Sequence, residues 1–271
     1  MKPKTYLIAQ NTDIYTGDGK NQFARTGELG FYHLKKAGAT GVILGHSEVN
    51  DSPETVNKKW KSAIEYGLLD NIVLIGEDWE DLEKGWDNST EEEINSMKDK
   101  LKVKLEIMLQ GIIGEVVEKT VFGYEPSWGT IGSGKSDVLP PQPLQIENMC
   151  SFIREMINDK YDKDVRVIYG GSSSPERTEE IMPSSNVDGL ILGSAGKAVD
   201  WIGKIGMGIQ KAMKNKGGKR KGVLALNWKA YELQEPYEEF LEVIDTLDGD
   251  AIEVYLSPVA TELKEVKELL G

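Results

Sequence analysis

Short apolar runs alternate with segments of helical periodicity along the whole of this 271-residue chain. Runs that are apolar along their entire length are typical of parallel strands buried on both faces. Alternation at this density indicates βα units joined by right-handed crossovers. The eight predicted strands are Thr5–Asn11, Thr40–Leu44, Ile72–Ile75, Thr120–Glu125, Val165–Tyr169, Gly189–Leu192, Gly222–Asn227 and Ala251–Leu256.

Helix signals fill the intervals between these strands. Asp51-Ser52-Pro53-Glu54 predicts a helix with Asp51 as the N-cap and a proline in the first turn, and Ser174-Pro175 repeats that pattern. Eight units in a chain of this length predict an α/β fold, the closed (β/α)₈ barrel, with an open doubly wound sheet as the alternative.

Composition narrows the class of protein. No apolar run approaches the roughly 18 residues that span a bilayer, so we expect no membrane association. The single cysteine, Cys150, excludes an internal disulfide, and two histidines make a histidine-rich metal site improbable. We therefore expect a cytoplasmic protein that needs no metal or other cofactor. The net charge of −13 argues against a nucleic-acid partner but leaves room for a small anionic substrate.

The run from Lys214 to Lys221 (KNKGGKRK) is strongly basic. By itself it is compatible with a nucleic-acid patch. Its central glycine pair and its lack of apolar periodicity favour a flexible, solvated linker. A closed barrel has no natural first strand. A linker here is therefore compatible with a barrel whose original termini are joined and whose chain begins at a different strand.

Five segments that can carry chemistry follow predicted strands at their C-terminal ends, where barrel active sites are built. A histidine follows a glycine and precedes a helix start, and a carboxylate ends a strand before a glycine-rich loop that suits a mobile lid. Two glycine turns allow backbone N–H groups to approach an anion closely. Each signal also has an ordinary structural explanation when taken alone. The segments are Asn227–Lys229, Leu44–Glu48, Tyr124–Lys135, Tyr169–Ser172 and Leu192–Gly196.

Taken together, the segments NWK, GHSE, YEPxW with IGxGK, YGGS and VDGxxxG resemble the signature segments of triosephosphate isomerase. Ala9-Gln10-Asn11, Thr26-Gly27-Glu28, Ile75-Gly76-Glu77 and Ser257-Pro258 are also similar to that family. The order of these segments differs from that of the family, because NWK and the SP strand normally precede AQN. The resemblance therefore implies a circularly permuted barrel in one domain, with the usual units 3–8 in residues 1–213, a linker over 214–221 and the usual units 1–2 in 222–271.

The resemblance implies an isomerase that interconverts dihydroxyacetone phosphate and D-glyceraldehyde 3-phosphate, a glycolytic and gluconeogenic reaction. In it Glu125 is the base, His46 the neutral electrophile and Lys229 the group that stabilises the enediolate. Asn227 orients a substrate oxygen, and Glu48 supports Lys229. Backbone N–H groups of Gly132, Ser172, Gly193 and Ser194 would hold the phosphate.

The same resemblance implies a lid, latched by Tyr169 and Ser172 and held open by a pair formed by Trp128 and Glu77. The lid residues are Pro126, Ser127, Trp128, Gly129, Thr130, Ile131, Gly132, Ser133, Gly134 and Lys135.

Three departures from the family pattern stand out. Gly129-Thr130 lengthens the lid, Ser194 replaces a usual glycine, and Val49 stands where an arginine is common. A homodimer is expected, with the segment Asn11–Thr26 reaching the partner subunit. Two alternatives remain: another phosphate-handling barrel, which does not explain GHSE and YEPxW together, and a binding-only barrel that has lost activity.

Overall fold

A computed structural model describes residues 1–14, 29–78, 86, 89–129 and 140–271. These residues form one closed barrel of parallel strands in chain order. The strands are β1 (Lys4–Ala9), β2 (Gly41–Leu44), β3 (Ile72–Ile75), β4 (Val121–Tyr124), β5 (Arg166–Gly170), β6 (Gly189–Leu192), β7 (Gly222–Asn227) and β8 (Ile252–Ser257). The predicted (β/α)₈ barrel is confirmed, and the open sheet is excluded by the closure.

Helices surround the barrel, and side-chain caps begin several of them. They are α1 (Phe31–Lys36), α2 (Pro53–Glu65), α3 (Glu91–Met108), α4 (Gly114–Lys119), α5 (Pro143–Tyr161), α6 (Pro175–Ile181), α7 (Val199–Asn215), α8 (Tyr237–Asp245) and α9 (Leu263–Leu270). The N-cap of α2 is Ser52 rather than the predicted Asp51, because the Ser52 hydroxyl accepts from Thr55 N–H. Asp51 pairs instead with Lys59, at 2.6 Å.

The last two strands complete the barrel between β6 and β1. β7 pairs with β6 in register from Gly189↔Val223 to Leu192↔Leu226. β8 pairs with β1 from Lys4↔Glu253 to Leu7↔Leu256. The end of the chain thus closes the barrel against its beginning, and the residues on β7 reach the same rim as those on β2 and β4.

Alternate side chains along each strand fill two separate cores. Those that point inward form a packed interior, and those that point outward pack under the helices. The inward set comprises Tyr6, Ile8, Ile43, Ile72, Leu74, Val121, Ile168, Ile191, Val223, Ala225 and Tyr255. Because this interior is filled, polar chemistry is confined to the rims of the barrel.

The basic segment 214–221 is more ordered than a flexible, solvated linker. Helix α7 continues to Asn215, and Lys216 Nζ donates to the Val187 carbonyl at 2.6 Å. Arg220 Nε donates to Asp188 at 3.0 Å, and Lys221 Nζ donates to the Gly249 carbonyl at 2.7 Å. The prediction of a solvated linker is therefore wrong for these three side chains, because buried acceptors lie within their reach.

None of the helices in the described part of the chain is long and apolar enough to cross a membrane.

Candidate active site

The C-terminal ends of five strands surround one cleft. His46 and Glu48 follow β2, Glu125 follows β4, and Asn227 and Lys229 lie at the end of β7. The loops after β5 and β6 line the same cleft with Ser172, Gly193 and Ser194. The structure thus brings together all the predicted catalytic residues and the described part of the predicted phosphate site. Gly132 and the lid residues Thr130 to Lys135 lie outside the described residues.

The Glu125 carboxylate is 7% exposed and faces two partners. Its Oε2 accepts from Ser47 N–H at 2.9 Å, and its Oε1 lies 3.4 Å from His46 Nε2. Burial raises the pKa of Glu125 above its usual 4.5, while His46, the Ser47 N–H and Lys229 oppose that rise. A carboxylate whose pKa is raised is a stronger proton acceptor once it is ionised, which suits a general base. The role of Ser47 was not predicted, because the contact is made by its backbone.

The orientation of His46 is set by the backbone on both sides of it. Gly45 has a φ of +77°, and a Cβ there would lie 2.3 Å from the Leu74 carbonyl oxygen, so only glycine fits. The N–H of Glu48 donates to His46 Nδ1 at 3.1 Å. Nδ1 therefore carries a lone pair, and the proton of the neutral ring is on Nε2, the atom that faces Glu125 and the cleft.

Lys229 is held at the cleft by its own backbone and by its side-chain partner. Its φ of +49° is unusual for a residue with a side chain. Its N–H donates to Asn227 Oδ1 at 3.1 Å, and its carbonyl accepts from Gln10 Nε2 at 2.7 Å. The ammonium forms an ion pair with Glu48. Gln10 belongs to the AQN segment, but its support of Lys229 was missed because 219 positions separate them.

The predicted phosphate site lies beside the side chain of Lys229. The side chain of Lys229 passes so close to Gly193 that a Cβ there would lie 3.3 Å from Lys229 Cε. Ser194 opens a short 3₁₀ turn, Ser194–Lys197. The indole of Trp228 fastens this turn to the end of β7, because its Nε1 donates to the Gly196 carbonyl at 2.7 Å. The tryptophan of the NWK segment therefore has a supporting role.

The described end of the lid contacts Glu77 through Ser127. Ser127–Gly129 forms a 3₁₀ turn, and Ser127 donates to the Glu77 carbonyl through Oγ at 2.8 Å. Trp128 is 2% exposed, and its indole nitrogen has no hydrogen-bond partner within the described part of the chain. Glu77 Oε1 accepts a hydrogen bond from the Tyr124 hydroxyl at 2.8 Å, and the pairing of Trp128 with Glu77 stays a prediction.

The sequence of this chain is similar to that of one named family. A family model described as triosephosphate isomerase matches residues 2–206. A protein named triosephosphate isomerase from Dictyoglomus turgidum is 38% identical over 201 residues, which cover 69% of this chain and 74% of the relative. Proteins of the same name from Alkaliphilus metalliredigens and Alkaliphilus oremlandii are 35% and 37% identical, over 65% and 67% of this chain and 68% and 71% of the relatives.

Proposed function

This chain belongs to the triosephosphate isomerase family and interconverts dihydroxyacetone phosphate and D-glyceraldehyde 3-phosphate, and we propose that Glu125 and His46 carry the proton transfers. The observation that carries this assignment is their geometry. A buried carboxylate lies 3.4 Å from the nitrogen of an imidazole whose other nitrogen accepts a backbone hydrogen bond. Triosephosphate isomerase is itself the standard example of a carboxylate base paired with a neutral histidine.

In the proposed mechanism Glu125 takes a proton from the carbon beside the carbonyl and returns it to the neighbouring carbon. His46 Nε2–H polarises the carbonyl oxygen and moves protons between the two substrate oxygens. A neutral donor suits this role because it matches the weakly acidic enediol better than a cation does. Lys229 stabilises the negative charge that develops on the oxygens, and Asn227 orients one of them. Glu48 keeps the lysine at the cleft through their ion pair.

The phosphate is proposed to lie against Ser172, Gly193 and Ser194, which line the same cleft as Glu125. Backbone N–H groups there can bind an anion although the chain as a whole is acidic. Gly132 and the residues of the lid to Lys135 are proposed to cover the bound substrate and exclude water, which would otherwise favour loss of phosphate from the enediolate.

A coupled assay with D-glyceraldehyde 3-phosphate tests the residue assignment. Glu125→Gln keeps the shape of the side chain but removes the base, so we expect turnover to fall by about 10³-fold or more. The matched control is Glu179→Gln, an exposed carboxylate on α6. Equal turnover in the two variants would show that another group is the base.

We further propose that the chain is circularly permuted, with units at 1–213 and 222–271 joined by 214–221. Two observations support this. The family match ends at residue 206, before β7, although NWK begins at the last residue of β7. The two ends of the chain also lie together, because Gly249 N–H donates to the Met1 carbonyl at 2.8 Å and Lys2 and Gly271 line one cleft. Moving 222–271 in front of Met1 through a short linker should preserve both fold and activity. Failure of that rearranged chain to fold would contradict the permutation.

A homodimer and a cytoplasmic location are proposals that follow from the family. The dimer is supported by Leu29 and Val49, apolar side chains that are 44% and 38% exposed. The location is supported by the one buried thiol, Cys150. Light scattering coupled to size exclusion measures the first directly, and a monomeric mass at micromolar concentration would contradict it.

A further inference from the structure

The side chain of Arg177 joins two segments beside the phosphate end of the cleft. Arg177 lies in the first turn of α6, where its N–H donates to the hydroxyl of the N-cap Ser174 at 3.2 Å. Its guanidinium extends back over the loop that follows β5. There Nε donates to the Ser172 carbonyl at 3.0 Å, and Nη2 donates to the Pro141 carbonyl at 2.9 Å.

These two hydrogen bonds from the guanidinium, called the fork below, fix the backbone of Ser172. Ser172 is 9% exposed and lines the cleft that contains Glu125 and Lys229. A guanidinium presents its donors in one plane, so two carbonyls bound to it are fixed relative to each other. The position of Ser172 is therefore coupled to the chain at Pro141, which enters α5 two residues later.

No carboxylate among the described residues neutralises the charge of Arg177. Its guanidinium donates to the carbonyls of Ser172 and Pro141. Its guanidinium also lies beside Tyr169, where it opposes the rise that burial causes in the pKa of that phenol. A half-buried cation without an anionic partner attracts an anion that binds nearby.

We propose that Arg177 is a positioning residue for the phosphate group of the substrate, because it fixes the Ser172 segment and contributes a positive charge that no described carboxylate pairs with. This inference rests on the proposed phosphate site. It differs from a purely structural role, in which the fork stabilises the loop but leaves recognition of phosphate unchanged. The two roles separate when substrates with and without phosphate are compared.

The test uses Arg177→Met, Arg177→Lys and the control Lys211→Met, which removes a charge from the exposed face of α7. KM and kcat are measured for D-glyceraldehyde 3-phosphate, and kcat/KM for D-glyceraldehyde, which lacks the phosphate. Binding of inorganic phosphate is measured by calorimetry. For Arg177→Met we expect a loss of about 10-fold in phosphate affinity and a similar rise in KM, since hydrogen bonds and charge act together at the site. We expect a change of no more than about 2-fold with D-glyceraldehyde.

Arg177→Lys retains the charge but loses the planar fork, so its phosphate affinity should lie between wild type and Arg177→Met. If Arg177→Met does not fold, Arg177→Lys alone still tests whether Arg177 positions the phosphate group. Equal losses on both aldehydes, or phosphate affinity equal to that of Lys211→Met, would overturn the proposal. A wild-type protein that binds phosphate but does not turn over D-glyceraldehyde 3-phosphate would contradict the proposed function without affecting the role of Arg177.

Discussion

Replacing Arg220 with methionine tests whether the basic segment stabilises the barrel. Arg220 Nε donates to Asp188 Oδ1 at 3.0 Å, and its Nη1 lies 2.5 Å from Asp164 Oδ2. The Asp188 side chain is 0% exposed and is held by Arg154 and by the Val167 N–H as well. The variant therefore removes one of three donors from a fully buried carboxylate.

The expected loss follows from these two contacts. A charge-assisted hydrogen bond to a buried acceptor contributes about 1.5–3 kcal/mol. The pair with Asp164, whose side chain is 57% exposed, adds roughly 0–1 kcal/mol because solvent screens it. We expect Arg220→Met to lower the free energy of unfolding by about 1.5–4 kcal/mol, the sum of the two contributions. A freely solvated linker would predict a change within about 0.5 kcal/mol.

Urea denaturation at a fixed protein concentration measures this difference, since a dimer would make the midpoint depend on concentration. Lys219→Met is the matched control, because Lys219 is an exposed neighbour in the same segment. Equal free energies of unfolding for the two variants would refute the reasoning and restore the picture of a passive linker. Asp188→Asn should destabilise at least as much as Arg220→Met, because it removes the buried charge that Arg154 and Arg220 both contact.

Three further outcomes are expected. Because burial raises the pKa of Glu125, kcat/KM should fall as the pH decreases through a value above 4.5, and a half-point at or below 4.5 would contradict this. The same shift means that ionised Glu125 destabilises the fold at a pH above its folded pKa. At pH 7 the urea midpoint of Glu125→Gln should therefore be higher than that of wild type. Well below pH 4.5 the two midpoints should be equal, because Glu125 is then protonated. Trypsin should cut the chain after the exposed Lys219. The two fragments should stay together, because β7 pairs with β6 and β8 pairs with β1. Loss of the far-ultraviolet circular dichroism signal on cutting would contradict this.

The architecture follows from local patterns in the sequence. Fully apolar runs such as Ile72–Ile75 and Gly189–Leu192 are strands with the predicted bounds, because parallel strands covered on both faces bury such runs. Glu125 and His46 were predicted as site residues because each follows a strand, and the C-terminal ends of barrel strands share one rim. The N-cap of α2 was predicted one residue too early, since aspartate and serine both suit that position.

Contacts between distant positions were decided only by the tertiary structure. Gln10 supports Lys229 across 219 positions, Arg177 binds carbonyls on two separate loops, and Arg220 reaches a buried carboxylate from a segment that reads as a linker. No local pattern marks these partners, because a hydrogen bond depends on where packing places two groups and not on their spacing in the chain. The sequence alone determined the strands, the barrel and the residues at its rim. Closure of the barrel determined which of those residues touch, because it brings together strand ends that lie far apart in the chain.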